Sequence, residues 1–283
     1  MAKNNIHSVQ QRLLALSRKQ KTNHQQTLTL YFIERFLYRI SISTYKEQFI
    51  LKGGMFLYAK TDNLNRPTKD IDLLAQEFKT EKHELLKKFQ SIASLEYQND
   101  GVLFDTSAIQ VNELEKEDKY SGWRVLINAT LGNIKQRIQV DIGFGDIITP
   151  SYEEITLPTL LNNLEIPVLQ GYTIETVLAE KFQAMIDLAE FNSRTKDFYD
   201  VYKLLLGKKY NEMILQKAIQ NTFRKRNTIY QQSHIFFSTE FSPARIKWNV
   251  FLKQNNLEQQ ATFEEVMKFL REKLEPFYEK LKQ

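Results

Sequence analysis

"RPTKDIDLL", Arg66 to Leu74, sets two aspartates one residue apart at the start of an apolar run. Residues two apart on a strand point to the same face, so Asp70 and Asp72 lie side by side with Cα atoms about 7 Å apart, while Ile71 turns into a core. An isolated D-x-D of this kind more often faces water at a strand's edge. A third acid alters that balance. Asp141 in "IQVDIGFGD" interrupts a strand in which Ile138, Val140 and Ile142 share one parity, so it faces away from their core side. Three carboxylates on neighbouring strands make an all-oxygen donor set for Mg²⁺, which shares its coordination sphere with phosphates in phosphoryl or nucleotidyl transfer. Asp146, in the glycine-rich stretch that follows, reads as a turn residue.

The surroundings of these strands give an α+β order. Two amphipathic helices, roughly Ile6–Lys19 and Gln25–Ile42, precede "FILKGG", a short strand into a glycine turn, and "MFLYAKT", a short helix. Gly53-Gly54 thus opens a helix where backbone N–H groups can approach a phosphate. After the D-x-D strand come a helix from about Lys79 to Ser94 and a β-hairpin turning at Gly132-Asn133. Helices are expected at Ile174–Glu190, Lys196–Lys208, Asn211–Phe223, Pro243–Gln254 and Phe263–Lys282. The organisation is therefore N-terminal helices over 1–45, a mixed core over 46–160 and a helical part over 161–283.

Two features of the helical part go beyond packing. On Ile174–Glu190 the apolar stripe runs Ile174, Val177, Leu178, Phe182, Met185 and Ile186, and Lys181 falls about 20° from Ile174 on the wheel, inside that stripe. A lysine there either snorkels or needs an acid or a ligand phosphate as partner. In "NSRTKDFYDVYKLL", Ser193 or Thr195 can cap a helix whose first turn holds Asp197. Its stripe is Phe198, Val201, Tyr202 and Leu205, which leaves Lys196 and Asp200 on the opposite face, open to a ligand or to water.

Composition narrows the chemistry. The 283 residues contain no cysteine, which excludes disulfides and thiolate nucleophiles, and the four histidines are scattered without metal-ligand spacing. No signal segment or run of about 18 apolar residues occurs, so a cytoplasmic protein without a membrane partner is expected. The net charge of +5 is uneven: residues 1–200 carry 24 Lys+Arg against 26 Asp+Glu, whereas 201–283 carry 15 against 8. A region of +7 beside one of −2, with "FRKRN" at Phe223–Asn227, suits a polyanion such as RNA, although solvated helix faces can also carry such a run.

In this order, F-I-L-K-G-G, R-x-T-x-D-I-D-L, Q-V-D-I-G-F-G-D, A-E-K-F-Q-A and S-R-x-K-D-F-Y-D-x-Y resemble the AbiEii/AbiGii toxin family, over about Phe49 to Leu206. The resemblance implies a DNA polymerase β-like nucleotidyltransferase core followed by a helical C-terminal domain, in a toxin of a type IV toxin–antitoxin or phage abortive-infection system. Some such proteins bind GTP, and related ones add nucleotides to the 3′ end of tRNA with Mg²⁺ and so stop translation. It implies Mg²⁺ (or Mn²⁺) on Asp70, Asp72 and Asp141, with NTP as substrate. Gly53, Gly54, Lys181, Arg194, Lys196 and Asp197 would meet the nucleotide, and Lys181 and Asp200 would join the three acids in catalysis. The implied partners are RNA, with tRNA foremost, and an antitoxin from a neighbouring gene. Two alternatives stand beside this: nucleotidyl or phosphoryl transfer to a protein acceptor, or a non-catalytic nucleotide-binding regulator. One departure is that Gly53-Gly54 replaces the glycine-serine of the general nucleotidyltransferase signature.

Overall fold

The computed structural model describes residues 2–61, 67–76, 81–114, 122–241, 243, 246–257 and 261–282. They group into two compact units, one drawn from the described residues of 2–61, 67–145 and 153–171, the other from those of 146–152 and 172–282. Among the described residues no helix is long and apolar enough to cross a membrane.

The first unit begins with α1 (Ala2–Gln20) and α2 (His24–Ile42), the latter capped by the Asn23 side chain, which accepts from the backbone N–H of Gln25 and Gln26. It continues through β1 (Phe49–Lys52), α3 (Gly53–Lys60), β2 (Asp70–Ala75), α4 (Lys82–Ala93), β3 (Val102–Phe104), β4 (Gln110–Leu114), β5 (Gly122–Leu131), β6 (Ile134–Phe144), β7 (Glu153–Thr156) and β8 (Val168–Gly171). The eight strands make one mixed sheet in the order β3-β5-β6-β2-β1-β8-β7, with β4 also on β5. β2 runs parallel to β6 and antiparallel to β1, and β5–β6 is the hairpin expected from Gly132-Asn133. The sequence drew the end of the mixed core at 160, yet β8 lies beyond it and pairs with β1. The predicted helix start at Lys79 falls outside the described residues.

The second helix is not the one-sided amphipathic element that its stripe predicts. Every residue from Tyr31 to Ile40 is buried, including Glu34, Arg35 and Arg39. α2 packs against β6, β8, α1 and α4, so its polar side is enclosed as well. The charges are met internally. Arg39 grips both carboxylate oxygens of the buried Asp100, whose backbone carbonyl accepts the Tyr31 hydroxyl at 2.8 Å. Glu34 pairs with Arg35 at 2.8 Å and accepts the Leu160 N–H at 2.6 Å. Burial pushes the Glu34 carboxyl up to about 7, against the pull of Arg35.

The second unit is helical: α5 (Ile174–Leu188), α6 (Thr195–Gly207), α7 (Glu212–Lys225), α8 (Trp248–Gln254) and α9 (Phe263–Glu279). α5 starts at Thr173, whose hydroxyl accepts from the Thr176 N–H, and α9 starts with a complete capping box between Thr262 and Glu265. Its core is aromatic, with Phe182 of α5 set among Phe223, Phe236, Phe237 and Tyr278. The helix expected from Pro243 begins only at Trp248. Ahead of it the Ile246 N–H donates to the Pro243 carbonyl. Neither Ser193 nor Thr195 caps α6; Arg194 occupies the cap position and makes no side-chain capping bond.

Candidate active site

On β2 the burial alternates as the D-x-D reading requires: Ile71 and Leu73 are buried, while Asp70 and Asp72 are half-buried on the other face. Parallel pairing sets Asp72 beside Asp141 of β6, and Val140 and Ile142 are buried on the opposite face. The same cross-strand row extends to both sides. Lys52 of β1 is the register partner of Asp72, and Arg124 of β5 is the partner of Asp141. Cross-strand neighbours on one face stand about 5 Å apart, so four strands carry the sequence Lys52, Asp72, Asp141, Arg124 along one line, with Asp70 one step away along β2.

Asp141 is taken up within that row. The Arg124 guanidinium donates from Nε to Oδ1 and from Nη2 to Oδ2, both at 2.8 Å, and Gln139 Nε2 adds a third bond at 3.2 Å. The Asp141 hydrogen bonds, and the charges of Asp141, Asp70 and Asp72, hold the Arg124 pKa above its usual value against partial desolvation. One guanidinium therefore sits in the field of three carboxylates. Thr68 Oγ1 donates to Asp70 Oδ1 at 3.2 Å.

Gly53 has a structural reason to be glycine. Its φ is +63°, a region costly for residues with a side chain, and a Cβ built there would lie 1.9 Å from Asp72 Oδ2. The start of α3 is thus pressed against the Asp72 carboxylate, and only glycine permits the approach. As a test of metal fit, Asp70 and Asp72 supply hard oxygen donors on one face beside a helix N-terminus, which suits Mg²⁺ shared with phosphates. Asp141 in this arrangement is committed to Arg124. Among the described residues no three His, Cys, Asp or Glu side chains group as a metal site.

The second unit holds the other predicted residues. Lys181 of α5 is nearly enclosed, as its wheel position predicts, and its ammonium contacts Asp197 at 2.5 Å and Asp200 at 3.0 Å. Asp200 is fully buried, which corrects the outward face drawn for it with Lys196. Only Lys196 is exposed there; Asp197 and Asp200 turn toward α5. The wheel assumes one buried face, whereas α6 packs against α5, α8 and α9 and buries every residue from Asp197 to Val201. Lys181, Asp197 and Asp200 thus come together, while Arg194 and Lys196 are exposed.

The sequence reading missed Arg124, Gln139 and Lys52. It also took Asp146 for a plain turn residue, but Asp146 pairs with Arg226 at 3.3 Å, and Arg226 reaches Glu180 at 3.5 Å and Gln183 at 2.8 Å. Arg226 of "FRKRN" is thereby an internal tie, leaving Arg224 and Lys225 as the exposed basic pair of that run.

The fold is α+β: a mixed sheet with helices, carboxylates on neighbouring strands, and a helical unit later in the chain. The chain matches the family model described as the nucleotidyl transferase AbiEii toxin of type IV toxin–antitoxin systems over residues 35–275, and it belongs to that family. It is therefore a nucleotidyltransferase. Among solved structures it is similar to a candidate nucleotidyltransferase of Helicobacter pylori (16% identity, 92% of this chain and 97% of that one, TM-score 0.50). It also resembles JHP933 of the same organism (16% identity, 92% and 94%, TM-score 0.49). At this identity the likeness concerns the fold. No curated protein matches it in sequence.

Proposed function

We propose that this nucleotidyltransferase moves a nucleotide from an NTP to an RNA acceptor, the 3′ end of a tRNA, and so blocks translation until its antitoxin intervenes. The observation that carries the reading is the in-register placement of Asp72 and Asp141, with Asp70 on the same strand face and the Gly53 start of α3 against Asp72. In the reaction the acceptor 3′-hydroxyl attacks the α-phosphorus and loses its proton to solvent, the bond from the α-phosphorus to the bridging oxygen breaks, and pyrophosphate leaves. Asp70, Asp72 and Asp141 would hold Mg²⁺ or Mn²⁺, which when bound neutralises charge on the phosphates. Gly53 and Gly54 bring backbone N–H groups to the phosphates. In the second unit Lys181, Asp197 and Asp200 form the family's buried helical motif, and Arg194 and Lys196 add positive charge at the start of α6. Support for a polyanionic acceptor comes from the +7 charge of residues 201–283, and binding should weaken steeply with salt.

The test is expression with and without the neighbouring reading frame, followed by sequencing of tRNA 3′ ends and labelling of lysate with [α-³²P]NTP. Extended tRNA ends and RNase-sensitive label are expected. Growth arrest with unaltered ends and protease-sensitive label would replace RNA by a protein acceptor.

A further inference from the structure

Arg124 is a member of the site that neither the D-x-D motif nor the helical motif contains. Its fork is fully matched to Asp141, with two 2.8 Å bonds in the geometry that makes guanidinium–carboxylate pairs strong. Gln139 supports the same carboxylate, and the pair is only partly exposed, 38% for Arg124 and 20% for Asp141. Asp72, next along the row, stands between Asp141 and Lys52 in register. On this face, three carboxylates meet two cations that belong to the protein itself.

We propose that Arg124 is an internal counter-cation that competes with the divalent metal for Asp141, so that full three-carboxylate coordination requires its fork to let go. The inference rests on the metal reading above and adds a positioning residue to it. A dication placed on Asp70 and Asp72 would face the guanidinium of Arg124 as a like charge, while Asp141 has both oxygens engaged. Release of the fork relieves that repulsion, frees Oδ1 and leaves Oδ2 with only the Gln139 bond. Phosphate offers the guanidinium an equivalent bidentate partner, so arrival of the triphosphate favours the exchange.

The experiment is Mn²⁺ binding by the nucleotide-free, full-length protein, read from the EPR signal of free Mn²⁺, for wild type, Arg124→Gln, Arg124→Lys and Asp72→Asn. Arg124→Gln should bind Mn²⁺ tighter by roughly fivefold, the scale of one partly exposed ion pair. Arg124→Lys keeps the charge without the fork and should fall between wild type and Arg124→Gln, and Asp72→Asn should lose the site. A merely structural role for Arg124 would leave metal affinity unchanged or lower it, and either result overturns the inference while wild-type binding upholds the metal site. If neither wild type nor the Arg124 variants bind Mn²⁺, the metal reading and this inference fall together.

Discussion

The two charge clusters solve opposite problems. In the first unit one guanidinium meets three carboxylates on a half-exposed sheet face, and every partner keeps some contact with water. In the second unit one ammonium meets two carboxylates that are 8% and 0% exposed, with Lys181 itself at 13%. Water can screen and replace partners in the first set, so its ion pairs can be exchanged for a ligand at small cost. In the second set each charge depends on the others, because an unpaired charge left there would be desolvated without compensation. The first cluster is built to rearrange and the second to stay.

The sharpest way to break this comparison is Lys181→Ala. It takes the ammonium away from the buried carboxylates of Asp197 and Asp200 and should cost about 3–5 kcal/mol in urea denaturation, whereas the triple change Lys181→Met, Asp197→Asn, Asp200→Asn should recover most of that loss. A Lys181→Ala protein as stable as wild type would show that the second cluster is solvated after all. Loss of toxicity in that variant is therefore informative only beside a stability measurement.

Asp72→Asn should behave in the opposite way. Nucleotide labelling should fall at least about a hundredfold, as when one strong electrostatic contact to a transition state is removed. Its urea midpoint should stay near wild type, because relieving repulsion among neighbouring carboxylates offsets the lost contacts. A variant that unfolds while retaining specific activity would reverse the roles assigned to the two units.

Glu34 extends the comparison to a buried charge inside the first unit. Its carboxyl is raised to about 7 in the folded protein against 4.5 for an unperturbed group. The folded state thus holds a proton that the unfolded chain releases, and stability falls as pH rises from about 4.5 through 7. Glu34→Gln should remove this dependence, gaining on the order of 2–3 kcal/mol on wild type between pH 5 and pH 8 in paired denaturation curves. Parallel pH profiles for the two proteins would mean that Arg35 keeps Glu34 ionised throughout.

The smallest effect is expected at Gly53. Gly53→Ala must place a methyl in left-handed backbone and against the Asp72 carboxylate, at about 1–2 kcal/mol of stability. Displacement of Asp72 should lower labelling by a larger factor than the stability change explains. Unchanged labelling would detach α3 from the site.

Much of the acidic site was legible because it depends on short-range periodicity. The i, i+2 spacing of Asp70 and Asp72 and the parity of Asp141 follow from strand geometry alone. Arg124 was legible too, though missed: counting outward from Leu131 and Ile134 across the Gly132-Asn133 turn pairs Arg124 with Asp141. Lys181 could be found because a charge inside an apolar stripe violates the helical pattern. Asp200 could not, since its face is polar on the wheel and only the packing of α5 on α6 turns it inward.

By itself the sequence determined the local elements that carry the acids and the lysine, because backbone sterics and side-chain period act over a few residues. It also placed a glycine at 53, ready for the left-handed backbone that opens α3. Tertiary structure alone decided which strands became neighbours, that α2 is enclosed on all sides from Tyr31 to Ile40, and that Asp141 faces a guanidinium while Asp200 faces an ammonium. Those outcomes depend on which surfaces meet across long stretches of chain, and burial then fixes whether a charge is exchangeable or locked.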